Sequence, residues 1–163
     1  MPDHFEIRSA TSADVPVILS FINKLAVYEK LAHEVTATEA GLQETLFGER
    51  RYAEVVIAYH HGQPVGFALF FHNYSTFLGK PGIYLEDLYV DEDQRGKGFG
   101  KALLIHLARL AEERNCGRLE WSVLDWNESA IKFYKSLGAV PLDEWTVFRV
   151  TGAALATLAN TSL

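Results

Sequence analysis

Apolar residues recur along this chain with two periods, and the switches between them mark out its elements. His4 to Arg8 alternates polar and apolar side chains, the pattern of a half-buried strand. Ile18, Phe21, Ile22 and Leu25 then recur at helical spacing. Thr11-Ser12-Ala13-Asp14 precedes them with a capping hydroxyl and a first-turn acid, so a helix is expected from there to about Lys30. Thr36-Ala37-Thr38-Glu39 has capping-box spacing and opens a shorter helix towards Phe47-Gly48. Glu54 to His60 and Val65 to Asn73 are rich in β-branched and aromatic residues, with turn chemistry in His61-Gly62-Gln63-Pro64 between them. A strand is expected from Ile83 to Val90, then a helix from Phe99 to Asn115 with Leu103, Leu107 and Leu110 on one face, stopped at Gly117. Leu119 to Leu124 reads as a strand, Glu128 to Leu137 as a helix ended by Gly138, and Trp145 to Val150 as a last strand. Ala153 to Ala159 suits a short terminal helix.

This order, hairpins first and then alternating strands and helices, predicts an α/β fold: a mixed, mostly antiparallel sheet with helices on both faces. The 163 residues fit one domain spanning 1–163, with no repeat or linker to divide it. The single cysteine, Cys116, excludes an internal disulfide and a cysteine-based metal cluster, and fits a reducing compartment. His60-His61 lies in a turn while His72 and His106 are isolated, so no metal is expected. A net charge of −6 argues against nucleic acid and suits a cationic ligand. The longest apolar stretches, such as Val65 to Phe71, fall far short of the ~20 residues that span a bilayer. Asp3, His4 and Glu6 stand where a secretory leader would be basic, so a cytoplasmic protein without membrane contact is expected.

The densest chemistry lies between the strand ending at Val90 and the helix beginning near Phe99. The run Arg95-Gly96-Lys97-Gly98-Phe99-Gly100-Lys101 places glycines at alternate positions, so the backbone can turn sharply and approach a ligand closely. Its N–H groups, with a helix N-terminus behind them, suit an anion such as pyrophosphate. The Lys-Ser/Thr ending of a P-loop is missing, and the glycine spacing is not that of a dinucleotide fingerprint. On glycine spacing alone the loop is as readily a flexible turn capping a helix.

Gln94 to Gly100 resembles the Q/R-x-x-G-x-G/A signature of the GCN5-related N-acetyltransferase superfamily, following a strand that ends Leu88-Tyr89-Val90. Downstream, Asn127 followed by Phe133-Tyr134-Lys135-Ser136-Leu137-Gly138-Ala139 resembles that superfamily's second cofactor segment. Leu25 to Leu31, Tyr84 to Val90 and Val123 to Asn127 are similar to its diamine acetyltransferase branch, which holds spermidine/spermine and thialysine acetyltransferases. Tyr74-Ser75-Thr76 and Val123 to Asn127 look closer to the thialysine type, because Ser75-Thr76-Phe77 stands where the polyamine type has Asp-Pro-Trp.

The resemblance implies acetyl-CoA as cosubstrate, a small amine as acceptor, and a homodimer. It implies contacts to acetyl-CoA from Leu88, Tyr89 and Val90, from Arg95, Gly96, Lys97, Gly98, Phe99, Gly100 and Lys101, and from Asn127, Phe133 and Tyr134. The acetyl group would lie where the Glu86–Val90 strand splays from the Leu119–Leu124 strand, with a backbone N–H near Leu88 facing its carbonyl. Tyr134 is implied as the acid for the departing thiolate, although helical pattern alone makes it a packing residue beside Phe133. Asn127 is equally a helix cap. Glu86 is the implied acceptor of the amine proton through water. Adjacent strand residues are expected to face opposite ways, so Asp87 is as readily part of an acidic approach to the turn. Tyr28, Glu29, Phe77, Glu86, Asp87 and Trp145 form the expected amine pocket, since carboxylates and aromatic faces both attract ammonium groups. Two other readings stay open: an acetyl-CoA-binding module without catalysis, which retention of Tyr134 and Glu86 disfavours, and acetylation of a protein N-terminus or lysine.

Overall fold

The computed structural model describes residues 2–163 and divides into two compact units, one ending at Leu124 and the other running from Asp125 to Leu163. The first unit carries β1 (Phe5–Ser9), α1 (Val15–Tyr28), α2 (Glu39–Phe47), β2 (Glu54–His60), β3 (Gln63–Ser75), β4 (Lys80–Val90), α3 (Phe99–Glu113) and β5 (Leu119–Trp121). The second carries α4 (Glu128–Ser136) and α5 (Gly152–Ala159). The five strands form one sheet in sequence order; β1 to β4 pair antiparallel and β5 joins β4 in parallel. The expected mixed α/β sheet is present.

Alternation along the strands divides the core between two faces. Val55 and Ile57 of β2, Phe67 of β3 and Tyr89 of β4 meet Ile18 and Phe21 of α1 and Leu46 of α2. The opposite face takes α3, whose Phe99, Leu103, Leu104 and Leu107 are buried. Phe99 stacks on Phe5 at 4.6 Å, which ties the start of α3 to β1.

Several boundaries move for identifiable reasons. Asp14 accepts the Thr11 N–H at 2.7 Å, as a capping box requires, but α1 ends at Tyr28 because Lys30 turns left-handed at φ 62°. The cap of α2 is Thr38 rather than Thr36, with the Gly41 N–H donating to Thr38 Oγ1 at 3.1 Å. β5 stops at Trp121, three residues before the expected Leu124. Trp145 to Val150, expected as a last strand, carries no strand. Within the second unit Val147 and Phe148 are 87% and 91% exposed.

Candidate active site

The register of β4 against β3 slips once. Leu69 pairs with Asp87 and Phe70 with Leu85, which leaves Glu86 as the extra residue of a bulge. Cross-strand partners share a face, so Asp87 (opposite Leu69) and Tyr89 (opposite Phe67) lie on the α1 side. Leu85 and Leu88, opposite Phe70 and Ala68, lie on the α3 side. The inserted residue breaks the alternation that would have sent Glu86 and Asp87 to opposite faces, and the electrostatics show both beside the C-terminal end of α1. Burial pushes the Asp87 carboxyl up to about 6, and the Glu86 and Glu29 carboxylates add to the rise. Glu29, the residue after α1, is raised by burial and then by Glu86. Three carboxylates thus share one end of the sheet, with Glu86 exposed and Asp87 half-buried.

The bulge also marks where β4 loses its other neighbour. Pairing with β5 runs through Ile83–Leu119, Tyr84–Glu120 and Leu85–Trp121 and then ends. From Asp87 to Val90, among the described residues, β4 is paired on the β3 side alone, so the other side offers backbone N–H and C=O groups to an extended ligand.

The glycine run lies against this open stretch. Gly96 and Gly98 take φ 80° and 86°, and a Cβ on either would meet nothing within 4 Å. Gly98 is the N-cap of α3 and, among the described residues, no side chain caps that helix, which leaves first-turn N–H groups available to an anion. A Cβ on Gly100 would sit 3.8 Å from Leu88 and 3.9 Å from Val90, so the start of α3 packs directly on the open part of β4. Open space at two left-handed glycines, an uncapped helix and an unpaired edge fit a cosubstrate with a pyrophosphate at one end and an extended amide arm at the other.

Side chains in the run mostly hold the loop in place. Arg95 donates from Nε to the Val90 carbonyl at 3.1 Å and lies over the rings of Tyr28 and Tyr89 at 4.8 and 5.4 Å. Lys97 reaches Gln94 at 3.0 Å, and Lys24 of α1 reaches Asp91 at 2.8 Å. Phe99 and Tyr89 are core residues, so any contact they make to a cosubstrate comes from their backbone.

Tyr28, Glu29, Glu86, Asp87, the Leu88–Val90 backbone and the Arg95–Lys101 loop therefore gather on the first unit. Phe77 does not join them within the chain. It sits 97% exposed in the β3–β4 turn, more than six strand residues, or about 20 Å, from Glu86. Asn127, Phe133, Tyr134 and Trp145 belong to the second unit. There Asn127 caps α4, accepting the Ala130 N–H at 3.4 Å, and the half-buried Tyr134 ring lies 5.7 Å from Phe133. Trp145 is exposed. Sequence reading passed over Tyr84 and Ser122, whose hydroxyls meet at 2.7 Å where β4 and β5 part.

The model of the Acetyltransferase (GNAT) family matches residues 22–139. The chain belongs to this family. A thialysine N-epsilon-acetyltransferase from Bos taurus is 40% identical over 94% of this chain and 96% of its own length. An L-ornithine N5-acetyltransferase from Arabidopsis thaliana is 37% identical over 91% and 85%. Among solved structures, an integron cassette protein from the mobile metagenome of V. cholerae superposes with a TM-score of 0.82 at 31% identity, covering 98% of this chain and all of its own. The protein is an acetyl-CoA-dependent N-acetyltransferase.

The glycine cradle of this acetyltransferase gives a direct expectation. Gly98→Ala forces a side chain into a left-handed conformation, costing about 1–2 kcal/mol without any clash. It also re-aims the N–H groups that would meet the pyrophosphate. Calorimetry should show acetyl-CoA affinity falling about tenfold or more while the protein still melts cooperatively. Unchanged affinity would remove this loop from the cosubstrate site.

Proposed function

We propose that the enzyme acetylates the primary amine of a short cationic substrate, a thialysine-like amino acid or small diamine, in preference to long polyamines. The observation that carries this reading is the gathering of Glu29, Glu86 and Asp87 beside the open stretch of β4. An alkylammonium with a pKa near ~10.4 must lose a proton before it can attack a thioester. Asp87, half-buried, holds the ammonium, and the exposed Glu86 accepts its proton through water. Glu29 and Tyr28 close the pocket on the α1 side, where cation and aromatic ring attract each other. The backbone at Leu88 supplies the N–H for charge developing on the carbonyl. Acetyl-CoA supplies the activated acyl group. Tyr134 donates the proton that the departing thiolate takes up, a role that rests on the resemblance of its motif.

What supports the preference for short amines is the resemblance, in which Ser75-Thr76-Phe77 stands where the polyamine type has Asp-Pro-Trp. Ser75 is buried, and its Oγ accepts the Leu78 N–H at 3.2 Å, so it serves the turn itself. No carboxylate stands there to hold a distant ammonium group. One missing charge-assisted hydrogen bond is worth about 1.5–3 kcal/mol, or roughly ten- to a hundredfold in specificity. A panel of thialysine, lysine, ornithine, putrescine, spermidine and spermine tests this. Thialysine, ornithine or putrescine should show a kcat/KM at least about tenfold above spermine. A higher value for spermine would overturn the preference.

A further inference from the structure

The bond between Tyr84 and Ser122 lies outside every group named so far, yet it stands where the cleft begins. The backbone ladder between β4 and β5 holds the pairs Ile83–Leu119, Tyr84–Glu120 and Leu85–Trp121 and no more. Ser122 is the first residue past β5, and its Oγ lies 2.7 Å from Tyr84 Oη. This tie runs diagonally forward, from the middle pair of the ladder to one residue beyond its end. Among the described residues it is the last side-chain link between the strands before β4 turns into its bulge at Glu86.

Two features make it a fixed point. The Tyr84 ring packs on its cross-strand partner Phe71 at 5.3 Å, so the phenol has little freedom to swing. A second bridge lies just behind it, where Asn73 Nδ2 of β3 donates to Glu120 Oε1 of β5 at 3.2 Å. That bridge crosses β4 at Gly82, the register partner of Asn73. A Cβ on Gly82 would run into Asn73 Oδ1 and come within 3.3 Å of the Arg118 carbonyl, so the bare α-carbon is a condition for the crossing. A three-residue parallel strand is thus fastened by side chains reaching from both strands of the β3–β4 hairpin.

We infer that Tyr84 and Ser122 are positioning residues: their hydroxyl–hydroxyl bond fixes where β4 and β5 part, and with it the placement of the acyl group against Glu86 and Asp87. This rests on the proposed reading of the cleft as the acyl site. The bond is exposed to solvent, so losing it should cost little stability. Misplacement of reacting groups by a fraction of an ångström to about 1 Å costs far more in rate, up to ~10²-fold.

The test compares Tyr84→Phe, Ser122→Ala, the double variant and Ser122→Thr, with kcat, KM for the amine, acetyl-CoA affinity and Tm measured on each. Each single loss of a hydroxyl should lower kcat about tenfold with acetyl-CoA affinity and Tm nearly unchanged. The double variant should be no worse than either single one, because both remove the same bond. Ser122→Thr keeps a hydroxyl and should keep most of the rate. Unchanged kcat in either single variant, losses that multiply in the double variant, or a kcat that falls only in step with Tm would overturn the inference. A wild-type enzyme that binds acetyl-CoA but acetylates none of the amine panel would instead overturn the substrate reading. The same four variants would then be judged on slow transfer of the acetyl group to water, with the same pattern required.

Discussion

Tyr134→Phe is expected to lower turnover by about 10²–10⁴-fold, the usual contribution of a positioned acid, while acetyl-CoA affinity changes little. The substitution keeps the ring and removes one hydroxyl, so the packing against Phe133 within α4 is preserved. A thiolate leaving group gains most from a proton delivered as its bond to the acyl carbon breaks, and a positioned phenol O–H is a donor for it. A purely structural tyrosine predicts the reverse. One lost hydrogen bond costs ~1 kcal/mol, which for a chain of this size is about 2–4 °C in Tm, with turnover near normal. Kinetics and melting on the same variant separate the two, and full activity would leave water or the substrate ammonium as the proton source.

What the sequence showed and what it hid divide along a physical line. Elements set by local periodicity were legible: β2 begins and ends where its β-branched run does, and α3 follows its leucine stripe. The glycine run was legible because left-handed backbone at Gly96 and Gly98 leaves a compositional trace. Features that depend on a partner strand were not. Glu86 and Asp87 read as facing opposite ways because strict alternation assumes an unbroken register, and the slip between Leu69 and Phe70 is a property of the pair of strands. The early end of β5 has the same origin. Leu119 to Leu124 has the composition of a strand throughout, but β4 offers it a ladder only as far as Leu85. Arg95 illustrates a different limit. Its motif implied a contact to acetyl-CoA, but no spacing announced that its Nε also donates to the Val90 carbonyl or that its guanidinium lies over two aromatic rings.

Asp87→Asn should separate activity from stability in opposite directions. Burial first, and then the nearby Glu86 and Glu29 carboxylates, hold the Asp87 pKa at about 6, against 3.8 for an ordinary aspartate. A carboxyl whose pKa is raised on folding binds its proton more tightly in the native state, so ionising it works against the fold. That penalty is absent below about pH 4, grows between about pH 4 and 6, and is complete above 6. The difference corresponds to roughly 3 kcal/mol at most, so the neutral amide should raise Tm by several degrees at pH 7 and leave it nearly unchanged at pH 4. Activity should move the other way. If Asp87 holds the substrate ammonium as proposed, removing its half-buried charge should lower kcat/KM for the amine by roughly 10²–10³-fold, since truncating one partner of a desolvated charge pair costs about 2–5 kcal/mol. In the wild-type enzyme the same ionisation predicts that kcat/KM for the amine falls as pH drops through about 6, and Asp87→Asn should lose that limb of the profile. An unchanged kcat/KM in Asp87→Asn would take Asp87 out of the amine site, and a lowered Tm at pH 7 would show that its charge is met by a partner in the native protein.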